Sequence, residues 1–364
     1  MNLKQFHPSK ILIINPFGIG DVLFTIPLVR NLKLSYPESF IGYLCNRRTA
    51  EFLNNYPKID RVFIYERDEF HLFYRKSKWN FMREGFGFLR QIRRADFDLV
   101  IDLSLNGTMN FLTALIGIPH RVGFNYKGRS PFLTKKIPLE GYQNKHVAEY
   151  YLSLLEIFGH EVKIKELEFP LQEKDRQWAQ EFFKKQGIST GDVVVGLVPG
   201  GGASWGKEAV YKRWPPEKYA KLADKIVEKF SAKIILMGNQ NEAKLCQTVA
   251  STMRNPACLS TESTIGQFAA LLKSCRLNVV NDGGPLHVAV AAGAKTVSIF
   301  GPVDEIVYGP YGALANHHLV VTKEIACRPC YRKFRRAECH HISCLGLIDV
   351  EEVLEKVVML LGRL

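Results

Sequence analysis

The chain has no apolar run of the roughly 18 residues that a membrane-spanning helix needs. Its first apolar run, Ile11-Leu12-Ile13-Ile14, is too short for the core of a secretory signal and reads as a buried strand. A cytoplasmic location is therefore the default expectation. Cysteine is scarce, with eight in 364 residues, which does not make the disulfide scaffold of a secreted domain. Cys45, Cys246, Cys258 and Cys275 lie in apolar patterns and read as core thiols. Close repeats and low-complexity tracts are lacking. So is any nucleic-acid module, such as paired zinc-finger spacing or an aromatic RNP-like strand, and no nucleic-acid partner is expected. The dinucleotide fingerprint is missing too. Gly18-Ile19-Gly20-Asp21 has no third glycine and puts an acid where a pyrophosphate would lie, which argues against a nicotinamide oxidoreductase. Acidic residues are outnumbered, 36 against 49 Lys and Arg, for a net charge of +13. Anionic lipid and phosphorylated glycan suit that balance, as does plain solubility.

What is present is a globular composition, 46% hydrophobic and 23% charged, on a chain long enough for two domains. Two αβ series can be read. In the first, strands are predicted at residues 10–15, 40–45, 61–65 and 97–102. Helices are predicted at 21–34, 49–54 and 81–95, and one at 145–158 closes the series. In the second, strands are predicted at 193–198, 232–237, 257–259, 277–281 and 296–300. Its helices are predicted at 216–230, 242–252 and 265–273, with an amphipathic helix at 350–361. Alternation of this kind gives parallel sheets covered on both faces. The expected fold class is α/β, with two doubly wound domains facing across a cleft at the carboxyl ends of their strands, where such sheets bind ligands. The domains are expected at 1–172 and 173–364, joined near a polar helix that ends at Gly187. The last helix is available to pack back on the first domain.

The most informative stretch is Asn281-Asp282-Gly283-Gly284-Pro285-Leu286-His287. It sits where a strand hands over to a helix, and the first N–H groups of a helix lack partners and attract anions. Glycine lets a phosphate approach the backbone, because no Cβ intervenes. Asp282 suits hydroxyls beside that anion, so the corner suggests a nucleotide-sugar. Asp21 opens the first helix of the chain. It reads either as an ordinary first-turn acid stabilised by the helix dipole or as a general base, and spacing alone leaves both open. The second series opens with Val198-Pro199-Gly200-Gly201-Gly202-Ala203-Ser204, glycines again following a strand, and then Lys212-Arg213-Trp214-Pro215. Lys212 reads as a cation for a diphosphate leaving group or as half of a solvated basic pair. Glu242, in Gly238-Asn239-Gln240-Asn241-Glu242, reads as an acceptor for ribose hydroxyls or as a helix-start acid.

In this order the motifs resemble glycosyltransferase family 9, the ADP-heptose:lipopolysaccharide heptosyltransferases. The resemblance rests on Gly18-Ile19-Gly20-Asp21 with Pro27, Pro199-Gly200 with Lys212-Arg213-Trp214-Pro215, Gly238 with Glu242, and Asn281 to His287, and spans about residues 10–301. It implies a GT-B fold and inverting sugar transfer without a metal or other cofactor. It also implies roles by position. Asp21 would be the general base, Lys212 would lie at the donor phosphates, Glu242 at the ribose and Asp282 at the transferred sugar. The amides of Gly283 and Gly284 would meet the diphosphate, with Gly200, Ser204 and His287 also on the donor side. The family usually carries threonine where this chain has Gly283, so one hydroxyl is missing here. The best specific reading is heptose transfer from ADP-heptose to an inner-core lipopolysaccharide acceptor by a monomer at the inner face of the cytoplasmic membrane. Rivals are a related transferase using another nucleotide-sugar and a non-catalytic sugar-nucleotide-binding protein.

Two further features stand outside this set. The segment from Phe70 to Arg94 mixes aromatics with cations, including Arg75, Lys76, Lys78 and Arg83. That suits an anionic membrane or a phosphorylated glycolipid acceptor, with Gly18 on the same acceptor side. A core helix with a solvated basic face is the other reading. Cys327, Cys330, Cys339 and Cys344 have the number of thiols for a structural zinc, but the second spacing is x4 and the loop is short. Reduced thiols or a disulfide in a packed tail are favoured over a metal.

Overall fold

The strands of this chain are apolar almost without interruption because both faces of each sheet are covered. Ile11, Leu12, Ile13 and Ile14 are fully buried, and residues 194–198 are buried throughout. The structure is a computed structural model that describes residues 3–66, 75, 77–201, 203–312 and 315–362, the side chains at 81, 203 and 315 excepted. The chain divides into two compact units. One comprises Met1–Tyr142 with Val147–Lys165, and the other Gln143–His146 with Glu166–Leu364.

The first unit holds β1 (Lys10–Ile14), α1 (Ile19–Phe24), α2 (Ile26–Ser35), β2 (Phe40–Cys45), α3 (Arg47–Asn54), β3 (Arg61–Ile64), α4 (Lys78–Ala95), β4 (Leu99–Asp102), α5 (Gly107–Leu115), β5 (His120–Tyr126), β6 (Lys135–Leu139) and α6 (Val147–Leu152). Its strands are all parallel, in the order β3-β2-β1-β4-β5-β6. The single helix predicted at 21–34 is two. Thr25 ends α1 by bonding its hydroxyl to Val22 O at 2.6 Å, and Pro27 lies in the first turn of α2.

The second unit holds α7 (Glu173–Lys185), β7 (Val194–Val198), α8 (Pro216–Phe230), β8 (Lys233–Met237), α9 (Ala243–Thr252), β9 (Ala257–Ser260), α10 (Ile265–Ser274), β10 (Leu277–Asn281), α11 (Gly284–Ala291), β11 (Thr296–Ile299), β12 (His318–Val321), a small hairpin of β13 (Tyr331–Arg332) and β14 (Arg335–Arg336), and α12 (Val350–Leu361). Its parallel sheet runs β12-β11-β10-β7-β8-β9. Both sheets thus have the doubly wound order, three strands wound one way from the first and three the other. The chain switches direction between β1 and β4, and again between β7 and β10. The last helix packs on its own unit. Val353, Val357 and Leu360 of α12 join Tyr219, Leu222 and Ile226 of α8 and the strands of the second sheet in one buried cluster.

Candidate functional site

The loops after β7 and β10 leave the sheet side by side at its switch point, where doubly wound sheets bind ligands. Asn281, the last residue of β10, ties the two together. Its amide donates to Pro199 O and Gly200 O, both at 2.9 Å, and its oxygen accepts Trp214 N–H at 3.1 Å. Asn281 is buried, and a buried amide left without partners would cost about 1–3 kcal/mol. Trp214 is in turn buried, with its indole N–H on Ile348 O at 3.1 Å, so Lys212 hangs just before a fixed anchor.

Lys212 and Asp282 meet at this corner. Their Nζ···Oδ2 distance is 2.7 Å, with the side chains 10% and 3% exposed. The contact is an ion pair without an aligned hydrogen bond, since Asp282 Oδ2 receives no donor in hydrogen-bond geometry among the described residues. Lys212 Nζ also lies 4.6 Å from the ring centre of Trp205, a cation–π contact. The corner therefore presents a desolvated cation and a desolvated anion next to the start of α11. Gly283, the N-cap of α11, has φ +146° and ψ −167°, a region essentially closed to residues with a Cβ.

Glu242 is drawn to the same corner but is already engaged. Its Oε1 accepts Gly201 N–H at 2.7 Å and the Arg213 guanidinium at 3.4 Å, and its Oε2 accepts Asn239 N–H at 3.1 Å and the Asn239 amide at 2.8 Å. Gly200 is needed by this contact, because a Cβ there would lie 2.3 Å from Glu242 Oε1. Arg213 also bonds Gly201 O at 3.1 Å. Glu242 thus acts first as a latch on the glycine turn.

His287 lies on α11 and is buried. Burial, then His146 and Lys212, hold its pKa well below the ordinary histidine value, so the imidazole is neutral. Ser204 stands exposed in the 3-10 segment Ala203–Lys212, and among the described residues the structure gives it no bond to the cluster.

In the first unit, Asp21 is in the first turn of α1, whose N-cap is Gly18. It lies close enough to Tyr43 and Tyr151 to raise the pKa of both, after the larger effect of burial. Asn15 fixes the backbone here, its amide donating to Asp21 O at 3.1 Å. Beside this corner sits Asp102, the last residue of β4, which the sequence reading took only as a strand end. Asp102 is buried, accepts Ser104 N–H at 2.9 Å and Ser104 hydroxyl at 2.6 Å on Oδ1, and among the described residues leaves Oδ2 without a hydrogen bond. Burial lifts its pKa to about 6, against the pull of both Ser104 bonds. An acid closing an otherwise apolar strand at the switch point is the signal that could have found it.

Of the cations that the sequence suggests for the acceptor side, Arg75, Lys78 and Arg83 are exposed, Arg83 pairing with Glu84 at 2.9 Å. Lys76 and the Phe70-to-Tyr74 stretch lie outside the described residues. On α4, Trp79, Met82 and Phe86 are 72%, 62% and 71% exposed. They share a stripe with Arg83, Arg90 and Arg93, as residues three, four and seven apart on a helix do. Phe88 instead turns inward to Tyr65, with centroids 5.7 Å apart, and Ile92 is buried.

The cysteine reading falls into two groups. Cys45, Cys246 and Cys275 are buried, and Cys258 is half-buried. The four tail cysteines carry no disulfide. No helix among the described residues is long and apolar enough to cross a membrane.

Comparison with known proteins gives concordant results. The sequence profile of glycosyltransferase family 9 (heptosyltransferase) matches residues 86–341. The chain is 26% identical to lipopolysaccharide heptosyltransferase 2 of Escherichia coli K12, over 97% of this chain and 98% of that protein. Among solved structures it is similar to a glycosyl transferase family 9 protein from Veillonella parvula, with TM-score 0.79 and 25% identity over 100% and 99% of the two chains. It is also similar to E. coli ADP-heptose lps heptosyltransferase II, with TM-score 0.74 and 20% identity over 97% and 99%.

Proposed function

The chain belongs to glycosyltransferase family 9 (heptosyltransferase), and from that premise we propose that it moves a heptose from ADP-heptose to an inner-core lipopolysaccharide acceptor. It is a glycosyltransferase with the two Rossmann-like domains of the GT-B fold. The observation that carries the finer reading is the buried Lys212–Asp282 pair at the start of α11. A transferase must hold sugar hydroxyls and disperse the charge of a departing diphosphate, and this corner has an acceptor and a cation for those two tasks.

The proposed step is one inverting displacement. The acceptor hydroxyl oxygen bonds to the anomeric carbon while the bond from that carbon to the diphosphate oxygen breaks, and the nucleotide leaves with the electron pair. Asp21 takes the hydroxyl proton, late in the step, as the oxygen becomes acidic. Lys212 and the N–H groups at 283–284 stabilise the leaving charge without a metal in the transfer step. Asp282 accepts hydroxyls of the sugar, which requires it to share Lys212 with the phosphates. Glu242 reaches a ribose hydroxyl by exchanging its bond from the Asn239 side chain, while keeping Gly201 in place. His287, neutral and buried, packs behind the corner and carries no proton in the step. The relative named lipopolysaccharide heptosyltransferase 2 supports the choice of sugar and acceptor.

The exposed stripe of α4 supports docking on an anionic membrane at the cytoplasmic face. Trp79, Met82 and Phe86 would enter the interface while Arg83, Arg90 and Arg93 meet headgroups. Flotation with vesicles measures this, and equal binding to anionic and neutral lipid would rule it out. Calorimetry with ADP, UDP and GDP, and then with their heptose and hexose conjugates, tests the donor. Selective binding of ADP and ADP-heptose is expected, and a preference for UDP or GDP would redirect the reading to another nucleotide-sugar.

A further inference from the structure

A lysine side chain is long and flexible, and fixing its tip costs rotamer freedom. The backbone beside Lys212 is anchored through Trp214, but the ammonium needs contacts of its own. Among the described residues Asp282 supplies one and Trp205 the other. In the proposed transfer Asp282 has a second task, because it accepts hydroxyls of the sugar. As it turns to them, its hold on Lys212 weakens. The Lys212 side chain is only 10% exposed, and a charge so poorly hydrated needs a partner. The indole of Trp205 is then what holds it.

The local structure fixes Trp205 in this place. The residue is half-buried, and Tyr331 of β13 packs on its ring with centroids 5.0 Å apart. Tyr331 is fixed in turn. Its N–H bonds Pro302 O at 3.0 Å, just beyond β11, and its ring meets that of Tyr308 with centroids 6.0 Å apart. Between Trp205 and Lys212 the chain bends at Gly206, where φ is +57° and ψ −123°. A Cβ at Gly206 would meet open space, so glycine is required there by the backbone angles and not by crowding. The bend folds the segment on itself and brings the indole over the ammonium, 4.6 Å from ring centre to Nζ. Beyond the bend, Arg336 pins the segment to the hairpin. It lies 3.7 Å over Tyr211 and pairs with Glu208 at 2.9 Å.

We propose that Trp205 is a positioning residue for sugar transfer, whose indole face keeps the Lys212 ammonium at the donor corner after Asp282 has turned to the sugar. The inference rests on the reading of Lys212 as the cation at the donor phosphates. An aromatic face attracts an ammonium through the quadrupole of the ring, most strongly when the contact is desolvated. The ring carries no net charge, so it restrains the cation without neutralising it. A carboxylate in its place would hold Lys212 as firmly but cancel its field at the leaving group. Trp205 therefore leaves the full charge available to the departing diphosphate.

The test is calorimetry of ADP binding to the full chain. Trp205→Leu keeps apolar bulk and removes the ring, and should weaken ADP binding about 10–30-fold. Trp205→Phe keeps a ring face and should lose less. A double-mutant cycle in the Asp282→Asn background, where Lys212→Met leaves no unpaired acid, gives the deciding readout. With Lys212 present, Trp205→Leu should weaken ADP binding. With Lys212→Met it should change affinity by less than about 2-fold. A packing role alone would lower affinity equally in both, and that result overturns the proposal. So does wild-type affinity in Trp205→Leu. If Lys212→Met leaves ADP binding unchanged in this background, the donor role of Lys212 falls first, which separates that failure from a failure of Trp205 alone. If Trp205→Leu does not fold, fluorinated tryptophans placed at position 205 decide. Fluorine drains the ring face with little change in size, so ADP affinity should fall with each added fluorine. A flat series overturns the proposal.

Discussion

The corner after β1 and the corner after β7 hold the same place in sheets of the same strand order, yet they are tied down with opposite polarity. In the first unit, Asn46 at the end of β2 donates its amide to Pro16 O and Phe17 O. In the second, Glu242 beyond β8 accepts from Gly201 N–H. One tie uses backbone acceptors and the other a backbone donor. The reach of the ties differs too. Asn15 bonds Phe17 N–H and Asp21 O in its own loop and also engages Tyr43 of β2. Asn281 reaches Pro199, Gly200 and Trp214, far away in sequence. The corner with the ion pair is preorganised by long-range contacts, and preorganised charge needs no rearrangement as a leaving group departs. The corner with Asp21 carries its acid on a short helix, and its long-range tie comes from Asn46 at the end of β2. This contrast supports the proposal that the second unit binds the donor and the first removes the proton.

The sharpest test separates those two tasks. Asp21→Asn should lower kcat by about 10²–10⁴-fold and leave ADP binding by calorimetry unchanged. Turnover near the wild-type rate would remove Asp21 from the step. Lys212→Met should leave Asp282 buried without its cation and cost about 3–5 kcal/mol of stability, read by urea unfolding. Adding Asp282→Asn should recover most of that stability but not ADP affinity. A cost under about 1 kcal/mol, the range of exposed pairs, would show that the corner is wetter than its burial implies.

Much of this arrangement was legible in the sequence because apolar runs and glycine turns are local signals. Residues 194–198, 216–230 and 277–281 fold as their patterns predict. β5 and β6 were not legible. β5 mixes His120, Arg121 and Asn125 with its apolar residues, and β6 is an edge strand with Pro138 and two lysines, the kind of residues that edges carry. The motif positions in the second unit were legible, but the ties among them were not. Asn281 was visible only as the first residue of a motif, and its partners lie beyond any local pattern. Glu242 shows the same limit, since only the fold reveals that its oxygens are engaged by Gly201, Arg213 and Asn239.

The first unit should also reveal itself by pH. The Asp102 carboxyl is raised by burial to about 6, so the folded chain holds a proton that the unfolded chain releases near pH 4. That contribution to stability is fully present below about pH 4 and is lost as pH rises through about 6, at most roughly 2–3 kcal/mol. Asp102→Asn keeps an acceptor for Ser104 and should flatten this part of the profile, with higher stability than wild type at pH 7. Urea unfolding between pH 4 and pH 7 measures it. If wild type and variant run parallel, Asp102 is not protonated in the fold, and the first corner carries more charge than the structure implies.

The smallest effect compares the two asparagines directly. Both are buried, so truncation to alanine removes similar volume, and the difference lies in what is left without a partner. Asn15→Ala frees one N–H and one carbonyl within a single loop. Asn281→Ala frees two carbonyls and the Trp214 N–H in two other segments. The second should cost about 1 kcal/mol more, the net value of one additional hydrogen bond. Kinetics should separate them further. Releasing the turn at Gly200 and the anchor at Trp214 loosens the donor corner, so Asn281→Ala should raise the donor KM. Asn15→Ala shifts the backbone that carries Asp21 and should act mainly on kcat. Loss of the same parameter in both variants would mean that the corners share one task, and the division drawn from their hydrogen bonds would fail.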